Sequence, residues 1–526
     1  MSLNMYLGET DAQRNSANAI CIEIIQSMEK TMSSISSFTF AFTLQGETYR
    51  SAKEFMAQTY FPLAQGIIYL CEELIRQNDK YPHDFRSQVA TTDVIEQEIV
   101  AQINEIDRMI TSFEALNEIT PIFRISILIY KNMKRKLQEK LENLYAFNSS
   151  SGGNYDTAMQ LAQNVMLGLS QIQGGKGFNS KTGVFSTAGM DLSWVVKLDE
   201  IHYTRKAKDK YGDYLKEYPE DIEKIITIIK YEERNTEYIE QSDEFLSQLE
   251  QKDAVEIKYL MYSAEEPYRI LALQYLGELE LILVEIDPND EEGPGPSFFD
   301  PNDNSITYVF ERDRANDRGA YFTFFHELGH AIDYNYGIEN GMDGYYSDYY
   351  KSLKKTLAEH MHGDVESRIR AELKNELNKA GYDNLDAKGK TSIINNVARV
   401  AIHKGPSSDI DLTNVEEDLF EKIQIQLSGE LYTDEYHNVS DVYGGVTLNE
   451  ILGKWGHHEL DYWINEETRE RTNEPNKEGF ASYYGSIMLQ DSEFRNKQID
   501  SVNEYLPNSK QHMDDMFDKI NKGGNE

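Results

Sequence analysis

The sequence predicts a mainly α chain: an elongated N-terminal helical bundle or hairpin followed by an α+β domain. Two observations carry this. Apolar residues recur at helical spacing through the first third, and near Phe298 the pattern turns to loop residues, a β-branched and aromatic run, and an aromatic-rich helix. At 526 residues the chain is too long for one ordinary core. The expected divisions are 1–205, helical; 206–284, a helical connector; and 285–526, α+β.

From Ala17, Cys21, Ile24, Met28 and Met32 recur at steps of four, three and four, the stripe of an amphipathic helix. A second stripe runs through Ala52, Phe55, Met56, Leu63, Ile67, Leu70 and Leu74, with Pro62 as a kink or break because it has no amide hydrogen. A third uses Ile95, Ile99, Ile103, Ile106 and Ile110 after the cap candidates Thr92 and Asp93, and a fourth Leu137, Leu141 and Leu144. A short helix is expected over Ala162 to Leu169. In the connector, Ile222, Ile225, Ile226 and Ile229 share one face. Further on, Ser305 to Phe310 reads as a strand.

Composition removes whole classes of function. With 90 acidic against 52 basic side chains the formal charge is −38, which opposes nucleic-acid backbones and anionic lipid surfaces. The most apolar stretch, Ile270 to Ile286, is interrupted by Glu278, Glu280 and Glu285, so stable membrane insertion is not expected. Cys21 and Cys71 are the only cysteines, so any metal site in the second half must use His and carboxylates. No conventional cleavable signal peptide is recognisable.

Ser2 to Gly8, followed by Leu44-Gln45-Gly46-Glu47-Thr48-Tyr49 and Ser51-Ala52-Lys53, resembles the LXG domain, named for a Leu-any-Gly triplet. That family heads polymorphic toxins of Gram-positive bacteria. The resemblance implies that 1–205 is a helical module for type VII secretion, bound by small helical partner proteins. It implies a secreted protein acting in or on target bacterial cells, with a cognate immunity protein in the producer.

The chemistry lies downstream. In Phe325-His326-Glu327-Leu328-Gly329-His330, the two histidines stand one helical turn apart, so both rings leave one face and can reach one ion, while Glu327 is displaced toward an open coordination position. Gly329 costs about 1 kcal/mol of helix propensity relative to Ala, so something must pass close to the helix there. Two imidazoles are half a tetrahedral site. A third ligand is expected from Glu478, in the first turns of a second helix that begins near Pro475 and continues with Phe480, Ala481, Tyr483 and Tyr484. His360 and His362 form a rival pair, but a spacing of two turns them apart on a helix.

His326 to Asp333, read with Glu478-Gly479-Phe480-Ala481, resembles the zinc peptidase domain of anthrax lethal factor and related zincin toxin domains. The resemblance implies Zn2+ held by His326, His330 and Glu478, and an endopeptidase acting on a protein or peptide. It departs in two places. His330 and Glu478 are 148 residues apart, so a helical insertion around Tyr349 to Ile402 must be accommodated, and Arg471 stands where that family has a tyrosine. The oxyanion donor must then come from Tyr462, His457 or His458, in a segment with Ser440 to Gly445 that reads as a structured loop.

In the mechanism this implies, Glu327 takes a proton from water attacking a polarised carbonyl. A peptide substrate would add as an edge strand beside Ile306 to Phe310, and the acidic surround would favour basic substrates. The same chemistry would serve a peptidoglycan amidase or endopeptidase. A reading from another class is an inactive secreted interaction protein, against which the intact Glu327 argues.

Overall fold

The computed structural model describes residues 2–119, 122–175, 177–235, 238–284, 295–379, 381–403, 411–455, 458–465, 467–468, 470–489 and 492–522. The chain is mainly α, with three small sheets among these residues, and it divides into two compact units, 1–212 and 213–526.

In the first unit, strand β1 (Asn4–Met5) precedes helices α1 (Leu7–Thr39), α2 (Glu47–Gln58) and α3 (Tyr60–Gln88). Strand β2 (Val94–Ile95), α4 (Glu96–Ile119), α5 (Arg124–Ser150) and α6 (Asp156–Gln173) follow. The hairpin β3 (Phe178–Asn179) and β4 (Val184–Phe185) then leads into α7 (Ser193–Glu217). At 1.5 Å per residue the 33 residues of α1 span about 50 Å. Asn18 bonds Asp79 and Arg86 bonds Asp11, so α1 and α3 lie antiparallel; Lys131 with Glu114 and Lys134 with Asp107 set α4 and α5 antiparallel as well.

The stripes meet in two clusters. One gathers Met5, Leu7, Phe85, Val94, Ile99, Leu144 and Phe147, and the other Leu63, Tyr69, Leu161, Val165, Trp194 and Leu198. Several expectations shift. Ile24 is exposed, and the buried residues of α1 are Leu7, Cys21 and Ile35. The break falls at Thr59, and Pro62 sits in the first turn of α3, where a missing amide hydrogen leaves no bond unmade. Asp93 Oδ1 accepts from Leu7 N (2.9 Å) instead of capping α4, and Ile95 pairs with Asn4 in the β1–β2 ladder. Gly46, the glycine of the Leu-any-Gly triplet, precedes α2 with φ 103°, which side-chain-bearing residues rarely adopt. Tyr211 interrupts α7 with φ −122° and ψ 26° just before the unit boundary.

The second unit begins with α8 (Ile222–Arg234), α9 (Ile239–Leu246), α10 (Gln251–Ser263) and α11 (Glu266–Leu276), so most of the expected connector belongs to it. Strands β5 (Glu280–Leu283), β6 (Phe298–Asp300) and β7 (Ser305–Tyr308) form one sheet in the order β5-β7-β6, with β5 parallel and β6 antiparallel to β7. β7 is therefore central, both its edges are taken, and Phe310 already lies in α12 (Phe310–Asp313). The peptide-accepting edge expected at Ile306 to Phe310 is thus misplaced.

Helix α13 (Phe322–Glu339) packs on this sheet through Phe324, whose ring is 5.4 Å from that of Tyr308. Then come α14 (Tyr346–Tyr349), α15 (Leu357–Leu377), α16 (Ala387–Ala401), α17 (Asn414–Glu430), α18 (His437–Thr447) and α19 (Leu460–Trp463). The chain closes with α20 (Glu474–Ile487), α21 (Ser492–Tyr505) and α22 (Pro507–Asn521). Ser440 to Gly445, expected as a loop, lies inside α18; the glycines reflect packing, since a Cβ on Gly445 would stand 3.0 Å from the Trp463 ring. The expected insertion buttresses α20: Asn476 accepts from Ala358 N (2.6 Å) at the start of α15, and Met361 lies against Gly479. His360 is buried there beside Ser352 (3.1 Å).

Candidate metal centre

Helices α13 and α20 cross at Gly329. A Cβ at that position would lie 2.9 Å from Ala481 Cα and 3.2 Å from Ala481 O, so the glycine is what lets the two backbones approach. This close crossing sets Glu478 against the histidine pair. His326 Nε2 lies 3.2 Å from His330 Nε2 and 3.4 Å from Glu478 Oε2, and His330 Nε2 lies 3.6 Å from Glu478 Oε1. Zinc bonds of about 2.0–2.1 Å put the corners of a tetrahedral site about 3.3 Å apart, close to the separations at which the two ring nitrogens and the two oxygens of Glu478 stand. The donor types, two imidazoles and a carboxylate, fit the same ion. His326, His330 and Glu478 can thus hold a metal.

Two further side chains orient these donors. Ser482, one turn beyond Glu478 on α20, has its Oγ 3.2 Å from His326 Nδ1, so a ring that offers Nε2 to an ion donates its Nδ1 hydrogen to the serine. Tyr462 donates its hydroxyl to Glu478 Oε1. Burial works against charging His326, but Glu478 and Glu327 outweigh it and raise the ring above its ordinary pKa. Burial takes His330 down to about 3. Although burial opposes it, contact with both histidines and Tyr462 holds Glu478 well below the usual carboxylate range.

Glu327 is buried beside these donors. Its Oε2 accepts from Phe299 N on β6 (3.0 Å), and burial pushes the carboxyl up to about 7. All four residues line a cavity of about 940 Å³, within the range of small-molecule and peptide sites. The segment Pro296 to Phe299 forms part of its wall, so β6 is the sheet edge that faces the cleft.

Of the oxyanion candidates, His458 and Tyr462 line the cavity with their rings stacked 4.4 Å apart at 13°, while His457 lies outside the described residues. His458 Nε2 is 3.6 Å from Asp441 Oδ1. Asp441 is raised to about 6, by burial first and then by Glu478. Arg471 has a structural role, donating to the carbonyls of Gly445 (2.9 Å), Ile402 (3.0 Å) and Val446 (2.7 Å).

Sequence reasoning missed Ser482, Asp441 and Arg318, all of which line the cavity. Ser482 was within reach, since it lies four residues after Glu478 and therefore on the same helix face. Asp441 and Arg318 carry no local signal. Among the described residues no helix is long and apolar enough to cross a membrane.

No family model and no solved structure matches the chain. A Bacillus cereus protein named "Toxin" is 54% identical to it over 203 residues, which are 38% of this chain. The matched stretch spans 37% of that relative's length.

Proposed function

We propose that the chain is a secreted antibacterial toxin with zinc-dependent endopeptidase activity, its first unit serving type VII export as an LXG module. The likeness to a protein named "Toxin" supports the coarse part of this reading. The finer part rests on one observation: three metal-binding side chains, whose nearest donor atoms are 3.2–3.6 Å apart, share a cavity with the buried carboxyl of Glu327, which is none of the three.

Zinc in this donor set supplies Lewis acidity, which polarises a carbonyl and lowers the pKa of water to about 7. The protein's residues do the rest. Phe299 N–H holds Oε2 of Glu327, leaving Oε1 to take the proton of the attacking water and then to give it to the leaving amine. Tyr462 keeps Glu478 oriented. His458, steadied by Tyr462 and Asp441, is the group available to donate to the developing oxyanion. β6 is the free sheet edge beside the cleft, and main-chain groups there other than the Phe299 N–H held by Glu327 can pair with an extended peptide, which favours a polypeptide over a glycan strand.

The test is expression of the full chain in bacterial cytosol, beside Glu327→Gln, with sequencing of new amino termini in the cell's proteins. Growth arrest and discrete new termini with the native chain, both absent with the variant, are expected. Equal toxicity of the two chains would contradict the reading. A cognate immunity protein is expected to suppress the native effect.

A further inference from the structure

One cation in the cleft takes no part in the chemistry above. Arg318 lines the same cavity as Glu327 and the three donors. Its guanidinium carbon lies 4.6 Å from the centre of the Phe322 ring and 5.3 Å from that of Trp455, so its position is fixed by two aromatic faces. Of its five side-chain N–H donors, one group has a partner among the described residues: Nη2 donates to Thr323 Oγ1 (3.2 Å). Nε is buried without a partner. No carboxylate among the described residues comes within 4 Å of the group, and burial lowers its pKa against the longer-range pull of Asp313, Asp441, Glu327 and Glu478.

The neighbouring Asp313 cannot serve as the missing anion, because it is already committed. It accepts from Tyr308 Oη (2.9 Å), Asn316 Nδ2 (2.8 Å), Thr323 N (3.0 Å) and Phe324 N (2.9 Å). Arg471 shows by contrast what a structural arginine looks like in this fold, with its guanidinium spent on three carbonyls. A guanidinium that is fixed, partly desolvated and short of acceptors is costly until an anion arrives. Its planar fork matches a carboxylate in two parallel hydrogen bonds.

We propose that Arg318 determines specificity in this cleft by receiving a carboxylate of the substrate, either an acidic side chain near the scissile bond or a free carboxyl terminus. The inference rests on the zinc-peptidase reading. It also qualifies the expectation of basic substrates: a net charge of −38 acts at long range and is screened by salt, whereas the Arg318 contact is short-ranged.

The test is calorimetry on the zinc-loaded full chain with three hydroxamate-capped dipeptides on one backbone. The first carries Gln and a terminal amide, the second Glu and a terminal amide, and the third Gln and a free carboxylate. One of the two acidic probes is expected to bind at least about ten-fold tighter than the neutral one, which also tells side chain from terminus. Arg318→Met should remove that advantage while moving the neutral probe less than about three-fold. Equal binding of all three probes to the native chain overturns the proposal, and so does an advantage that survives in Arg318→Met. The neutral probe is the control for the metal centre: binding that is lost in His326→Ala upholds the zinc reading whichever way Arg318 falls, and no binding of any probe overturns both.

Discussion

Ser482 illustrates how much of a metal site lies outside its ligands. Its Oγ fixes the His326 ring from behind, so Ser482→Ala leaves all three donors in place but frees the imidazole to rotate. Zinc affinity should fall about ten-fold or more, measured by competition with a chromophoric chelator. His458→Ala should do the opposite: zinc content stays at the native level while turnover on a protein substrate falls about a hundred-fold, the cost of a lost oxyanion donor. Retained turnover would remove His458 from the mechanism and leave the oxyanion role to another group. The pattern at 326–330 was legible because an i, i+4 pair declares its own geometry. Arg318 was not legible, because its meaning depends on acceptors that other elements fail to supply.

At the scale of elements, the site exists because α13 and α20 cross with no side chain between Gly329 and Ala481. Gly329→Ala would raise helix propensity by about 1 kcal/mol yet force a Cβ to 2.9 Å from Ala481 Cα. The net effect should be a loss of about 1–3 kcal/mol in the unfolding free energy of the second unit, together with weaker zinc binding as Glu478 moves away. The sequence pointed to this crossing, since a glycine inside an aromatic helix asks for a close neighbour. It could not reveal the sheet order: strand character is local, whereas β7 lies in the middle because β5 and β6 both pair with it.

In the first unit, His202 on α7 stacks 3.7 Å from Tyr69, is 1% exposed, and has no hydrogen-bond partner at either ring nitrogen among the described residues. Burial holds its pKa down to about 3, against 6.5 for a free ring. The unfolded chain therefore binds the extra proton first. The neutral ring's contribution is complete above pH 6.5 and is lost as pH falls from there toward about 3. Denaturant unfolding should show the native chain losing about 3 kcal/mol more than His202→Phe between pH 7 and pH 4. Parallel pH profiles for the two chains would contradict a buried neutral His202.

For the whole molecule, the division into 1–212 and 213–526 puts every residue of the metal centre in the second unit, beside a core that includes Ile306, Phe324, Phe325 and Phe480. Residues 213–526 expressed alone should fold and bind zinc within about three-fold of the full chain's affinity, whereas a loss of ten-fold or more would mean that the first unit helps to build the site. The strongly acidic composition disfavours nucleic acid and anionic membrane as partners but says nothing about the cleft, where a few short contacts outweigh a diffuse field. The most direct measurement is the zinc content of the purified chain by mass spectrometry, taken beside His326→Ala, Glu478→Ala and Glu327→Gln. One ion per chain in the native protein and in Glu327→Gln, with little in the other two, is the expected result. A native chain without zinc, or one whose zinc survives loss of His326 and of Glu478, would contradict the metal centre.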